Sequence, residues 1–252
     1  SHSRSVYNSE NRASMSGRVF VLSKDDRPLT PCKIAKARKL MDGDQARPAW
    51  NKFGQFGIQM LVETRKETPK TVLGIDFGTK YEGYAVVCGK ENNLSVMWKL
   101  PDKKRIVKKL EERRNLRKAR RRRNCRRREA RFDNRGREGF IAPSQKVIVQ
   151  SRLKVMQEFF NYYPITASAL EDVRFNHRDN HFGENFSTIE IGKKIIRKFL
   201  REKGDLFQFS GYDTQDFRKQ YNYKKSSTKN AEVFNAHCSD ALALAASISA
   251  KQ

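Results

Sequence analysis

A run of arginine and lysine residues near the middle of the chain limits the possible folds more than any other feature. Residues 103–131 contain 17 Lys or Arg and three acids, a net charge of +14, whereas the other 223 residues carry +11. No Pro or Gly interrupts this run, and its composition favours a helix. Because nearly every face of that helix would be charged, packing against a core cannot hold it. We therefore expect a polyanion beside it, and nucleic acid is the first candidate.

The remaining composition excludes several classes of protein. A chain of 252 residues with 37% hydrophobic residues and 16 Phe can bury a core, so it is not a wholly disordered basic tail. It contains no run of eighteen apolar residues and no apolar signal-peptide core, so no membrane association is expected. The scattered cysteines form no CxxC pair, which argues against a zinc ribbon and predicts a reducing compartment, the cytoplasm. These cysteines are Cys32, Cys88, Cys125 and Cys238.

The N-terminal quarter of the chain predicts a small α+β module over residues 16–64. Residues 19–22 and 57–62 have the composition of strands, and residues 33–41 form a basic helical pattern between them. Residues 1–15 show no periodicity, and we expect a flexible leader or a tag remnant there.

From residue 70 onwards the pattern is that of an α/β domain with a mixed sheet. Residues 71–76, 83–88 and 94–100 predict three antiparallel strands ahead of the basic run. The later predicted elements are a helix at 144–160, a strand at 165–170, a helix at 187–203, a loop-rich segment at 206–229, and a final helix at 231–249 capped by Asn230.

Three acidic side chains are predicted to meet at one edge of this sheet. Asp76 and Glu171 each end a buried strand, and their carboxylates emerge side by side if the strands are parallel neighbours. His237 and Asp240 are three residues apart, on one face of the final helix. Three carboxylates can hold two Mg²⁺ ions that clamp a phosphodiester, and a histidine can take a proton from water. Taken singly, Asp76 could instead cap a turn, and His237 could be a core residue.

Five segments together resemble a known family. Three of them resemble the motifs of RuvC-type nucleases of the RNase H-like fold: residues 74–80 (GIDFGTK), 171–177 (EDVRFNH) and 236–244 (AHCSDALAL). The basic run is similar to the bridge helix of RNA-guided nucleases. PLTP at 28–31, followed by CKIAKARKL, resembles the N-terminal PLMP module of the transposon-encoded IscB/IsrB family, with Thr30 in place of the usual Met.

The resemblance implies an RNA-guided DNA endonuclease. It implies that Asp76, Glu171 and Asp240 bind two Mg²⁺ ions, that Mn²⁺ can substitute for them, and that His237 assists the attacking water. The implied partners are a guide (omega) RNA and target DNA, both as the RNA–DNA heteroduplex and as the displaced single strand. The particle would be a monomeric ribonucleoprotein of the prokaryotic cytoplasm, acting at the nucleoid. The implied segments are RuvC parts at 70–101, 140–205 and 206–252, and a bridge helix at 102–133.

Two features refine the resemblance. The chain passes from Glu171 to Asp240 in 69 residues without the Cys/His cluster of an HNH domain, and residues 184–194 resemble IsrB, the relative that lacks this domain. IsrB resemblance implies a nickase that cuts only the displaced strand. Family members also continue past the third motif into a region that contacts the guide and reads the target-adjacent motif. Because this sequence ends at Gln252, that region either lies outside it or is lacking in a reduced relative.

Arginine is suited to the implied heteroduplex because its planar fork binds two phosphate oxygens at once. The predicted nucleic-acid contacts on the basic run are Arg113, Arg114, Arg117, Arg120, Arg121, Arg122, Arg123, Arg126, Arg127 and Arg128. Lys33 and Arg38 are predicted contacts on the small module, where a solvated surface helix is nearly as good an interpretation. The aromatic residues at 207–223 could stack on single-stranded bases or pack beneath a loop. His177 and His181 are four residues apart, but no further ligand lies nearby, so we expect no metal there.

Other classes of protein share parts of this pattern. Sugar kinases, actin and heat-shock ATPases carry GIDFGT but also need further glycine-rich nucleotide loops, which the sequence lacks. A Holliday-junction resolvase uses three carboxylates as a dimer, yet leaves the basic run and the PLTP module without a role. The serious alternative is a non-catalytic or unguided RNA-binding protein that keeps the RNase H-like fold for structure. Metal dependence separates this alternative from a nuclease.

Overall fold

The computed structural model describes residues 12–15, 17–89, 91–123, 141–172, 192–224 and 233–250. In chain order the elements are β1 (Arg12–Met15), β2 (Arg18–Leu22), β3 (Pro28–Lys33), α1 (Ile34–Asp42), β4 (Ala46–Trp50), β5 (Phe56–Met60), β6 (Thr71–Asp76), β7 (Tyr81–Cys88), β8 (Glu91–Lys99), α2 (Lys103–Arg122), α3 (Pro143–Tyr162), β9 (Ala167–Glu171), α4 (Lys193–Lys203), β10 (Asp205–Phe209), α5 (Gly211–Gln220) and α6 (Phe234–Ser249). None of the helices in these ranges is long and apolar enough to cross a membrane.

The N-terminal module is a four-stranded sheet in the order β3-β2-β5-β4, with α1 against it. The predicted helix and the two predicted strands are confirmed. The edge strands β3 and β4 were not predicted, because each contains proline and proline ordinarily interrupts a strand pattern. At the edge of a sheet the missing N–H of Pro28 or Pro48 removes no bond from a central ladder, so both strands tolerate it.

The larger sheet has the order β1-β8-β7-β6-β9-β10. β6, β7 and β8 are antiparallel neighbours, as predicted, whereas β9 pairs parallel to β6 and β10 pairs parallel to β9. The fold class is therefore α/β with a mixed, RNase H-like sheet. The prediction of a leader through residue 15 is wrong at its end, because Arg12–Met15 forms an edge strand antiparallel to β8. A four-residue strand that pairs with an existing edge needs no hydrophobic period of its own.

Both faces of the larger sheet are buried, and alternate residues of β6 show this. Leu73 and Ile75 pack with α3 and α4, whereas Val72 packs with α6 on the opposite face. The small module packs against the layer formed by α3 and α4. The ring centroids of Phe20, on β2, and Tyr162, on α3, lie 5.0 Å apart. The sheet thus lies between a layer of two helices and the final helix.

Two predictions near the C-terminal end are wrong. The segment at 206–229, expected to be loop-rich, contains β10 and α5, and Ser210 begins α5 through a reciprocal capping box with Asp213. The exposed polar faces of both elements hid their periodicity. The final helix begins at Phe234 with Val233 in the cap position, so Asn230 is not its cap, and Asn230 itself lies outside the described residues. Residues 187–191 of the predicted preceding helix also lie outside them.

The basic run forms the expected helix over its described part. The Asp102 side chain caps α2 by accepting from the Lys104 N–H at 2.9 Å. Within α2 no residue is buried, and even Leu116 is 60% exposed. This helix therefore stands on the surface with its charge in solvent, as its composition predicts.

Candidate metal centre

Asp76, Glu171 and Asp240 meet in the structure. Each offers one carboxylate oxygen, and the three oxygens lie within 4.8 Å of one another. The parallel pairing of β6 with β9, which aligns Ile75 with Leu170, brings the first two acids to the same sheet edge. Asp240 is buried, whereas Asp76 and Glu171 are half-buried. The predicted meeting of the three acids is therefore confirmed, while their roles in binding metal stay a prediction.

Two glycines let the final helix approach the sheet closely enough to deliver Asp240. A Cβ at Gly74 on β6 would overlap the Ala241 carbonyl oxygen, and a Cβ at Gly83 on β7 would overlap the His237 carbonyl oxygen. Helix backbone thus rests directly on strand backbone, which only glycine permits. This contact fixes the height of α6 above the strand end that carries Asp76.

His237 lies one turn before Asp240 on α6, as the spacing predicts. Its side chain is 8% exposed and its ring centroid lies 5.4 Å from that of Tyr81. The neighbouring Cys238 is also buried, and burial together with the negative charge of Asp76 raises the pKa of its thiol. Cys238 therefore stays protonated and supplies packing, while the proposed role of His237 towards water stays a prediction.

Arg218 on α5 lies against the third acid. Its Nε is 2.7 Å from Asp240 Oδ1, and the Asp240 side chain is only 4% exposed. The guanidinium thus offsets part of the negative charge that three adjacent carboxylates concentrate. Arg218 was not predicted because residues 206–229 were expected to be a loop. In a loop, the spacing of residues does not indicate which way a side chain points.

Asp172, the residue after Glu171, is held by two cations of α4. Arg197 forms an ion pair with Asp172, and Lys193 Nζ lies 3.6 Å from Asp172 Oδ1. Lys193 and Arg197 are four residues apart and so share one helix face. This four-residue spacing was the sequence signal that could have indicated a pair of cations on one face of α4. Their contacts fix the chain immediately after Glu171.

A buried ion pair supports the turn that follows Asp76. Arg152 on α3 donates through Nε to Glu82 Oε1 at 2.6 Å and through Nη2 to the Gly78 carbonyl oxygen at 3.2 Å. The guanidinium also lies 4.7 Å from the ring centroid of Phe77, and the Tyr84 hydroxyl donates to Glu82 Oε2 at 2.9 Å. Burial raises the pKa of Glu82 and the Arg152 charge opposes that rise. A charged residue in the otherwise apolar β7 was the sequence signal for this pair.

The predicted nucleic-acid contacts divide into exposed residues and residues outside the described ranges. The exposed ones on α2 and its C-cap are Arg113, Arg114, Arg117, Arg120, Arg121, Arg122 and Arg123. Lys33, which ends β3, and Arg38, on α1, are exposed as well. Arg126, Arg127 and Arg128 lie outside the described residues, as do His177 and His181.

The donor set fits a hard divalent cation. Three carboxylate oxygens at mutual distances within 4.8 Å are the ligands that Mg²⁺ and Mn²⁺ prefer. Without a cation, like charges at this separation repel one another, and the nearby Arg218 offsets that repulsion only in part. Asp76, Glu171 and Asp240 are therefore the residues that would hold the metal.

Arg218→Gln should bind Mn²⁺ about tenfold more tightly than the unaltered protein. The guanidinium competes with the metal for Asp240, and because the Arg218 side chain is 21% exposed, solvent screens much of its charge; a remaining interaction of about 1.4 kcal/mol equals tenfold in affinity. Calorimetric titration of Mn²⁺ measures this directly. Lys219→Gln removes the same charge from the next position of α5 and is the control. Equal gains in both variants would mean that Arg218 acts only through net charge.

The fold and the three acids define a class of protein, an α/β protein with an RNase H-like sheet and a carboxylate centre at the ends of two parallel strands. A family model described as "RRXRR protein" matches residues 19–192, more than half of the chain, and the chain belongs to this family. The matched range includes Asp76, Glu171 and α2, and Asp240 follows it.

One solved structure with a similar chain path is T. thermophilus RuvC in complex with a Holliday junction substrate. The two are 15% identical, the match covers 70% of this chain and 90% of that chain, and the TM-score is 0.36. Among curated proteins, no sequence matches this chain significantly.

Proposed function

We propose that the protein is an RNA-guided DNA endonuclease of the IsrB type that nicks the displaced strand. The observation that carries this proposal is the meeting of three carboxylates at the strand ends of an RNase H-like sheet. Membership of a family found in IscB-type nucleases supports it.

In this proposal the three acids share one task, and His237 and Arg152 each have another. Asp76, Glu171 and Asp240 would hold two Mg²⁺ ions, or Mn²⁺ in their place. When bound, such ions stabilise the attacking and leaving oxygens of a phosphodiester displacement. His237 orients the attacking water or takes its proton. The buried Arg152 keeps the turn after Asp76 in place, so the first ligand stays aimed at the centre.

The guide RNA is assigned to the basic surface. α2 has an exposed arginine-rich surface with no buried residue, and it belongs to a chain of net charge +25. Its arginines suit the phosphates of an RNA–DNA heteroduplex, whose A-form shape is bound while base pairing provides sequence recognition. Lys33 and Arg38 would contact the structured part of the guide (omega) RNA. The proposed particle is a monomeric ribonucleoprotein acting in the prokaryotic cytoplasm.

The second candidate is an RNA-binding protein without catalysis. The ion pair of Arg218 with Asp240 favours it specifically, because a resident cation is what a carboxylate cluster would use in place of metal. In that case the acids would serve the fold alone, and divalent cations would have no effect on any activity.

The proposed function is tested by the RNA that co-purifies with the protein expressed from its native locus. Sequencing should show one dominant structured species that begins or ends in a variable segment. The purified particle should then convert a supercoiled plasmid carrying the matching target to the nicked circle, in Mg²⁺ but not in EDTA, with the break in the displaced strand. A smear of cellular RNA would favour the non-catalytic candidate, and a linear product would contradict the nickase.

A further inference from the structure

The aromatic residues between 206 and 223 differ sharply in their surroundings. Phe209 and Phe217 pack edge to face at 5.2 Å beside the α6 layer. Tyr221 and Tyr223 stack on each other with their ring centroids 5.9 Å apart. Tyr212, in the first turn of α5, is 83% exposed. The first four rings therefore contact other rings of the fold. Phe207 is 38% exposed with Lys70 over its ring, whereas the Tyr212 ring is presented almost wholly to solvent.

Tyr212 stands beside the candidate metal centre. It lines a cleft of about 660 Å³ into which Glu171 and Asp172 also open. The preceding Gly211 is so close to the centre that a Cβ there would lie 3.1 Å from Glu171 Oε1. An exposed aromatic ring thus follows, by one residue, a backbone position in contact with a candidate metal ligand.

The cleft continues along α5 towards a cationic end. A second hollow of about 260 Å³ is lined by Arg218, Lys219 and Tyr223, and Gln215 lines both hollows. Gln208 also lines the first hollow. We call the two hollows together the α5 groove. It offers an aromatic ring beside Glu171 and Asp172 in the first hollow and the positive charge of Lys219 in the second, where Arg218 pairs with Asp240.

We propose that the α5 groove binds the single DNA strand that is to be cut, with Tyr212 stacking on a base next to the scissile phosphate. The inference rests on the proposed function and adds the path of the substrate. An exposed ring can stack on a base only when that base has left its own duplex, so the groove selects a single strand. The amides of Gln208 and Gln215 face the bases, and Lys219 contacts a phosphate further along.

The test is photocrosslinking of the full chain to single-stranded DNA carrying one 5-iodouracil, placed at successive positions of a set of oligonucleotides. Ca²⁺ replaces Mg²⁺ so that the strand stays intact. Mass spectrometry should locate the crosslink at Tyr212 for one or two adjacent positions. Tyr212→Phe should keep the crosslinking yield, and Tyr212→Ala should lower it at least about tenfold. Since Tyr212 is exposed, the alanine variant is expected to fold, and circular dichroism checks this.

The matched control is Trp50→Ala, which removes a 62% exposed aromatic ring from β4 of the small module, outside the groove. This variant should crosslink as the unaltered protein does. An equal loss in both variants would overturn the inference, because the ring in the groove would then have no special part. Equal or better crosslinking of Tyr212 to an RNA strand of the same sequence would also overturn it, assigning the groove to the guide.

Failure of the inference and failure of the proposed function give different results. If Tyr212 crosslinks to DNA but the guided particle never nicks its target, the groove is a single-strand site and the nuclease proposal fails. If nicking proceeds with unchanged kcat/KM in Tyr212→Ala and no crosslink forms at Tyr212, the nuclease proposal stands and the path through the groove is wrong.

Discussion

Asp76→Asn should lower the rate of metal-dependent strand cleavage at least about a thousandfold while leaving RNA affinity within about twofold. The amide keeps the shape of the carboxylate but removes the charge that binds a divalent cation. Metal ions contribute several kcal/mol to stabilising such a transition state, and each 1.36 kcal/mol is tenfold in rate. Conversion of supercoiled plasmid to nicked circle measures the rate, and fluorescence anisotropy with the co-purified RNA measures the affinity.

Asp25→Asn is the matched control for this substitution. Asp25 is an exposed aspartate in the turn between β2 and β3, so its replacement makes the same chemical change away from the metal centre. Both rate and affinity should be unchanged. If Asp76→Asn instead weakened RNA binding as much as neutralising α2 does, the three acids would be structural and the non-catalytic candidate would hold.

Neutralising the arginines of α2 should have the largest effect on nucleic-acid affinity. Glutamine replaces seven exposed residues: Arg113, Arg114, Arg117, Arg120, Arg121, Arg122 and Arg123. The unaltered protein, with about ten phosphate contacts, should show a log–log salt slope near −9 for a duplex. Each lost contact reduces the slope by about 0.9, so the variant should fall near −3 and bind at least about a thousandfold more weakly at about 0.1 M salt.

Glutamine is chosen because its helix propensity is close to that of arginine, so α2 should keep its helicity by circular dichroism. The comparison variant neutralises the basic residues of the small module, Lys33, Lys36, Arg38 and Lys39. A change of about four in the slope would show that the module contacts RNA, whereas an unchanged slope would assign these residues to a solvated surface. A slope near −2 for the unaltered protein would mean that α2 is not the main contact.

The parts of the fold that could be predicted are those with a strong local pattern. A mainly apolar run of six residues that ends in an acid predicted β6 with the same first and last residues as in the structure. The same pattern predicted that Glu171 lies at the end of β9. The pairing of these strands then brought Asp76 and Glu171 together. The third acid was placed on the predicted final helix, its three-residue spacing from His237 put both on one face, and the motif resemblance implied its role.

The parts that were missed depend on partners distant in the chain. β3 and β4 carry prolines that only an edge position tolerates, and nothing local indicates which strand will lie at an edge. Arg218 reaches Asp240 only because α5 packs beside α6, and Arg152 meets Glu82 across 70 residues. Such contacts are set by tertiary packing, which periodicity along one element does not report.

α6, which packs on Gly74 and Gly83 and carries Asp240, is the last described element of the chain to be synthesised. Asp240 is translated 164 residues after Asp76, which at about 5–20 residues per second is a delay of roughly 10 to 30 s. Throughout that interval the nascent chain holds at most two of its three acids, and α2 is complete about 118 residues before Asp240 is added. Under the proposed function, RNA would be bound to α2 on the ribosome before the third acid exists, so the chain would acquire its partner before it could cut.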